Sequence, residues 1–218
     1  MDALDKYKKA WDNQPEETEK VSKVDIYKMT RSKSSSIVKW IFIIGILELL
    51  FWGGLNMIFV GSSYSELYDE LHLHTIVYTS VYLHYFVIVL FLIAFYKNYK
   101  SISVSDSTKT LIKKILNTRK VVKYYVYFNI IYAALANIVL VLFIFSDLDA
   151  LISYYNNHNI PISSSKSQLA TSIIIAFILV LILMLVILWL FYKIIYGSLL
   201  KKLHINYQKL TKLEQSNT

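Results

Sequence analysis

Four stretches of unbroken apolar character, about 37–60, 75–96, 123–145 and 170–196, alternate along the chain with polar connecting segments. Each is long enough to cross a bilayer, because about 20 residues at 1.5 Å rise span roughly 30 Å of hydrocarbon. None of the four contains proline. Tyr and Trp gather toward one end of these stretches (Trp40, Tyr96, Tyr99, Tyr124, Tyr125, Tyr127, Trp189, Tyr192 and Tyr196), as an interfacial aromatic belt does. The pattern predicts an all-α membrane protein with four transmembrane helices in one bundle.

The polar segments carry a helical period of their own. Residues 1–36 read as a cytoplasmic head, polar and mixed in charge, with no apolar h-region of a signal peptide. Leu4, Tyr7 and Trp11 make a short amphipathic helix ended before Pro15. Ser22 and Asp25 form a capping-box-like start for a second helix that can run unbroken into the first span. In the loop after that span, Tyr64, Leu67, Tyr68 and Leu71 form a stripe behind the pair Ser63 and Glu66. Ser146 and Asp149 repeat the capping device before 150–155. In 107–123, Leu111, Ile112, Ile115 and Leu116 oppose Lys109, Lys113, Lys114 and Lys120, with Arg119 adding to the charge. That pattern predicts a basic amphipathic helix on the inner leaflet or on an acidic partner. After the fourth span, Leu199, Leu203, Leu210 and Leu213 continue near heptad spacing through a helical tail, 197–218.

Charge gives these elements a direction. The 61–74 loop holds three acids and no Lys or Arg, and 146–169 holds Asp147, Asp149 and a single Lys166. The 97–123 segment holds eight Lys or Arg against Asp106 alone, and the chain after Tyr192 five Lys against Glu214. The positive-inside bias therefore predicts both termini and the middle segment in the cytoplasm. It also accounts for most of the net charge of +8. No zinc finger, phosphate loop or RNA-binding signature accompanies the basic segments, so nucleic acid is not expected as a partner. The chain has no cysteine, which excludes disulfides, thiolate metal sites and a cysteine nucleophile. No GxSxG, Walker or kinase motif is present.

Polar residues inside the spans are the candidate chemistry. Glu48 is the only acid in the first span, and a charge at that depth costs roughly 2.5–3.5 kcal/mol on insertion scales. Gly45, Glu48, Trp52 and Asn56 share one helical face, which is expected to point into the bundle. The third span presents Asn129, Ala133, Ala136 and Asn137 in the same way, with Tyr132 nearby. Counting from the inner ends of the spans places Glu48 and His84 at similar depth, within about 3 Å. The candidate intramembrane cluster is therefore Glu48, His84, Asn137, Asn129, Trp52 and Asn56, acting either as interhelical hydrogen bonds or as a proton-sharing pair. The fourth span is expected to supply packing and lipid contact only. The outer loops add Glu66, Asp69, Glu70, His72, His74, Asp147, Asp149 and His158 without a metal-binding motif.

The passage from LDKYKKAWDNQ through VDIYKMTRSKSSSIVKWIFIIGILELLFWGGLN resembles a group of small, uncharacterised four-helix bacterial membrane proteins often labelled β-carotene monooxygenase. The resemblance covers the first quarter of the chain and, beyond it, the layout. It implies a bacterial inner membrane. The oxygenase label would imply iron held by several histidines and acting on a polyene, for which His72, His74, His84 and Glu48 are the available donors. The preferred reading needs no cofactor. It is a non-enzymatic anchor or sensor in the lipid bilayer whose head, basic segment and tail bind a cytoplasmic regulatory protein, with homo-oligomerisation left open. The alternatives are the iron-dependent oxygenase on a carotenoid-like lipid and a small proton- or ion-coupled transporter component using Glu48. The topology is directly testable: a reporter fused near Asn157 should be active outside and one near Asp106 inside, and the opposite pair of results would overturn the orientation.

Overall fold

The computed structural model describes residues 22–59, 68–103, 105–158 and 165–215. The expected head helix through Leu4, Tyr7 and Trp11 and the Ser63 and Glu66 pair lie outside these residues. The helices described from end to end are α1 (Lys23–Phe59), α2 (His74–Ser101), α3 (Thr108–Ser146), α4 (Leu148–Asn157) and α5 (Lys166–Gln215). The fold is all-helical, and α1, α2, α3 and α5 are long and apolar enough to cross a membrane. Each of them runs well beyond its apolar stretch. The positions 36/37 and 196/197, expected to separate head, bundle and tail, fall inside α1 and α5.

Local chemistry sets the helix ends. Ser22 opens α1, its Oγ accepting from the Val24 N–H at 3.3 Å, with Asp25 in the first turn where the dipole favours an acid. Before α2, the Leu73 N–H reaches the Tyr68 carbonyl at 2.7 Å and the His72 N–H reaches Asp69 at 3.1 Å. This is a Schellman turn, and His72 takes the left-handed position usually held by glycine, with φ of 55°. Ser107 caps α3 through Thr110 N–H at 3.2 Å. The cap of α4 is Asp147, whose Oδ1 accepts from Ala150 N–H at 2.9 Å. Ser146, expected to be that cap, instead closes α3 by donating to the Phe143 carbonyl at 2.7 Å. At α5, Ser165 and Gln168 exchange backbone-to-side-chain bonds of 3.2 and 3.3 Å, a reciprocal capping box.

The four long helices are arranged in the ring order α1, α2, α3, α5, each antiparallel to its neighbours. Phe42 packs on Tyr96, Ser80 on Tyr132, Tyr125 on Tyr192, and Ser34 on Asn206. Burial is concentrated toward the ends carrying the Lys-rich segments. There Val38, Ile41, Phe95, Leu111, Ile115, Tyr125, Tyr196, Leu203 and Leu210 form the main core. Leu71, Leu73 and Leu151 form a small second cluster at the opposite end. The apolar windows between are largely outward-facing, and none of the α5 window is buried, as lipid-facing surface requires.

The basic segment is therefore not a separate helix lying on a leaflet. It is the first four turns of α3, and its apolar side is taken up by the main core, with Leu111 and Ile115 fully buried. Only Leu116, at 42% exposure, keeps an open apolar face. Lys109 and Lys113 remain exposed, whereas Lys114 pairs with Asp106 at 2.7 Å and Arg119 bonds His204 at 3.1 Å. Lys120 stands over the Tyr124 ring.

Asp106 organises the tight α2–α3 turn. Its carboxylate accepts from Lys114 Nζ at 2.7 and 2.8 Å and from the Ser103 N–H at 2.9 Å, while Tyr27 Oη donates to its carbonyl. Partial burial alone would raise the Asp106 carboxyl, but the Lys114 ammonium and the Ser103 N–H outweigh it and hold the group below the usual carboxylate range. A depressed folded-state pKa gives stability that is complete above the unfolded value and is lost as pH falls through the folded one. The melting temperature of Asp106→Asn should accordingly sit below wild type at neutral pH, and the gap should close on acidification below the ordinary aspartate range. A gap independent of pH would show that the carboxylate charge is not what holds the turn.

Candidate functional site

Glu48 is the one buried carboxyl group among the described residues, 6% exposed. Tyr192 Oη donates to its Oε1 at 2.5 Å, and Tyr125 and Tyr196 donate to its Oε2 at 2.8 and 3.0 Å. A carboxylate only accepts, and three O–H donors divided over two oxygens replace much of the water it would otherwise hold. Tyr192 and Tyr196 are one turn apart on α5 and so reach the same point. Tyr125 comes across from α3, with its ring edge-on to Phe91 and Phe95 of α2. One turn before Glu48, Gly45 lets α2 approach, since a Cβ there would meet Leu92 Cδ2 at 2.7 Å.

This arrangement corrects three expectations. The partners of Glu48 are tyrosines, and no hydrogen bond or ion pair joins it to His84 among the described residues. The reason is axial register. The inner ends of the two apolar runs are not level, because Phe42 rather than Ile37 lies beside Tyr96, and Asn56 bonds Tyr85 Oη at 2.6 Å. Helix rise then places Glu48 on the order of 10 Å nearer the Lys-rich end than His84. The fourth span also does more than pack, since α5 supplies two of the three donors. Finally, Tyr125, Tyr192 and Tyr196 leave the interfacial belt for the core, while Tyr124 and Tyr127 stay exposed. The signal available in the sequence was the i, i+4 spacing of Tyr192 and Tyr196 opposite a lone acid.

His84 heads a second cluster. Its Nε2 lies 3.1 Å from Asn129 Oδ1, while Asn129 Nδ2 donates to the Tyr125 carbonyl at 2.8 Å. Because that carbonyl can only accept, the amide oxygen faces the imidazole, and Nε2 carries the proton it donates. The ring stacks on Tyr132 with centroids 3.8 Å apart and 2° between planes. Tyr132 Oη in turn pairs with Ser80 Oγ at 3.0 Å. Asn129, one turn beyond Tyr125 on α3, thus connects the two clusters through its hydrogen bonds to the Tyr125 carbonyl and to His84.

The remaining candidates disperse. Trp52 is 39% exposed and Asn56 is exposed, so the face that is buried at Gly45 and Glu48 opens one turn further along α1. Asn137 donates to the Ala133 carbonyl at 2.8 Å and lies 3.6 Å from Met184 Sδ on α5. His72 occupies the turn before α2, His74 packs on Tyr78, and His158 packs at a tilt on Tyr154. Asp147 is a helix cap, and Asp149 pairs with Lys166 at 2.6 Å. Glu66 lies outside the described residues. Among the described residues no three of His, Cys, Asp and Glu converge as metal ligands. His72, His74, His84 and Glu48 therefore do not form the donor set an iron centre needs, with Glu48 and His84 separated along the axis, His72 in the turn before α2 and His74 its first residue.

Two grooves flank these clusters. One of about 450 Å³ lies between α2 and α3, where Ser80, Tyr132 and Asn137, together with Tyr68, are the polar-bearing residues in an apolar wall. Another, of about 470 Å³, lies between α1 and α5 at the Lys-rich end. Neither is lined by Glu48.

The profile of the domain of unknown function DUF8845 matches residues 24–215. The chain belongs to this family. The match begins in the first turn of α1 and ends with α5, so the DUF8845 unit comprises the apolar stretches together with their polar extensions. No curated protein and no solved structure matches the chain.

If the carboxylate is the hub of its tyrosine cage, each of Tyr125→Phe, Tyr192→Phe and Tyr196→Phe should cost about 1 kcal/mol of stability in detergent or bicelles. Glu48→Leu should cost more than any one of them, because it strands three buried hydroxyls at once. Unfolding measurements giving the reverse order would remove Glu48 from the centre of the site.

Proposed function

We propose that this chain is a multi-pass anchor or sensor of the bacterial cytoplasmic membrane, with both termini inside, whose cytoplasmic helical extension binds a regulatory protein. The observation that carries this reading is the groove between α1 and α5 beyond the apolar stretches. Ile26, Met29 and Leu213 line its apolar part, Lys33, Lys209 and Lys212 stand at its edge, and no acid is among its lining residues. Thr30, Ser34 and Asn206 are buried beneath it, with Asn206 Nδ2 donating to Ser34 Oγ at 3.0 Å and Ser34 Oγ to the Thr30 carbonyl at 2.8 Å. A satisfied polar floor holds α1 and α5 at fixed spacing, so the groove does not depend on a ligand for its shape. An amphipathic helix with apolar anchors at i, i+3 and i+4 and acidic flanks suits such a surface.

A component of a proton- or ion-coupled transporter is the second reading, and the enclosed carboxylate of Glu48 is what favours it. The two readings diverge on substitution. Under the anchor reading, a photo-crosslinker at Met29 should trap a protein of discrete size in cells. The Lys33→Glu, Lys209→Glu, Lys212→Glu triple variant should lose that adduct, and Glu48→Gln should retain it. Absence of any adduct, or an adduct indifferent to the three charge reversals, would sink the anchor reading.

A further inference from the structure

A smaller groove of about 190 Å³ runs between α3 and α5 at the level where the apolar stretches give way to polar helix. Three cation–π pairs mark that level: Lys100 with Tyr96, Lys120 with Tyr124, and Lys193 with Trp189, the last at 4.3 Å from the ring centroid. Lysines beside exposed aromatic rings are the signature of the membrane–water interface, where the ring sits among headgroups and the ammonium reaches water. The groove has a polarity of its own. Lys123 lines it where α3 passes from polar to apolar helix, Lys193 lines it from α5 with its ammonium over the Trp189 ring, and the wall continues along α3 through Val126 and Ile130 into the apolar stretch. Gly197 contributes no side chain, and a Cβ added there would touch only Lys193 Cγ, at 3.9 Å. The floor is made by Tyr192 and Tyr196, whose hydroxyls are already committed to Glu48. Charge recognition in the groove therefore falls to the two lysines, with the Tyr127 hydroxyl and the Trp189 indole N–H as neutral polar groups beside them, and no acid lines it.

We propose that this α3–α5 groove binds the headgroup of an anionic phospholipid, with Lys123 and Lys193 on the phosphate and an acyl chain along Val126 and Ile130. Two cations at the edge of an apolar wall match the charge and the head-to-tail polarity of such a lipid. A basic pocket between transmembrane helices at the interface is where lipid headgroups are recognised. The Glu48 carboxylate behind the floor does not oppose this, since three hydroxyls face it and it points into the bundle. The lipid would also brace Tyr192 and Tyr196 from outside, coupling the surrounding leaflet to the interior cage. This inference is independent of the regulatory partner and of which side of the membrane is which.

The test uses the full chain in neutral detergent micelles supplemented with phosphatidylglycerol, phosphatidylcholine or inorganic phosphate. Phosphatidylglycerol should raise the melting temperature and give a discrete lipid adduct in native mass spectrometry, whereas phosphatidylcholine and phosphate should do neither. Lys123→Gln with Lys193→Gln should weaken phosphatidylglycerol binding about thirtyfold, the effect of removing two interfacial charges. Lys123→Arg with Lys193→Arg should keep it. Lys201→Gln with Lys202→Gln, further along α5, should leave it unchanged. Equal stabilisation by both lipids, full protection by phosphate alone, or an equal loss on removing Lys201 and Lys202 would each overturn the proposal.

Discussion

A carboxylate within an apolar bundle has to be solvated by the protein, and at Glu48 three phenol hydroxyls from two other helices do so. Hydrogen bonding is directional, so the contact specifies more than burial would. A slip of α1 by one turn would carry the carboxyl about 5.4 Å from its donors. A rotation by one residue would turn it away by about 100°. The cage thus sets the register of α1 against α3 and α5 at one level. Gly45, one turn away, then admits α2, whose Phe91 and Phe95 support the Tyr125 ring. All four long helices meet around this group.

Packing changes character on either side of that level. Toward the Lys-rich end the helices bury Val38, Ile41, Leu111, Ile115, Leu203 and Leu210, as surfaces meeting water must. Toward the other end there is no such drive, because lipid tails are as apolar as leucine. Association there rests on isolated polar ties: Asn56 to Tyr85, His84 to Asn129, and Ser80 to Tyr132. The grooves follow from this division. The one between α2 and α3 opens beside the Ser80–Tyr132 tie, whereas the one between α1 and α5 sits on a satisfied polar floor. The α3–α5 groove occupies the boundary, where lysines and aromatic rings coincide. DUF8845 membership extends over all three settings, so the polar extensions are as much part of the fold as the apolar spans.

Much of this architecture was legible from periodicity and composition alone. The four spans, their absence of proline, the apolar stripe of 107–123 and the helical tail all follow from local rules, because a helix satisfies its own backbone and its lipid-facing residues need only be apolar. Glu48 was identifiable for the same reason, as the one acid in its span. Its partners were not. Depth counted from the edge of each apolar run assumes that the runs begin at one plane. Helices that extend past the membrane are levelled instead by contacts such as Phe42 with Tyr96 and Ser34 with Asn206. That offset exchanged His84 for three tyrosines.

By itself the sequence determined the fold class, the number of spans, the helix-forming character of the polar segments and the identity of the costly buried acid, since each depends on residues close together in the chain. The tertiary structure decided what depends on register between distant segments. Tyr125, Tyr192 and Tyr196 became ligands of a carboxylate rather than an interfacial belt. Leu111 and Ile115 met helices rather than lipid, and His72, His74 and His84 stayed apart. A tyrosine near a membrane boundary has the same local pattern whether its hydroxyl meets water or Glu48, and only the packing of α1 against α3 and α5 distinguishes the two.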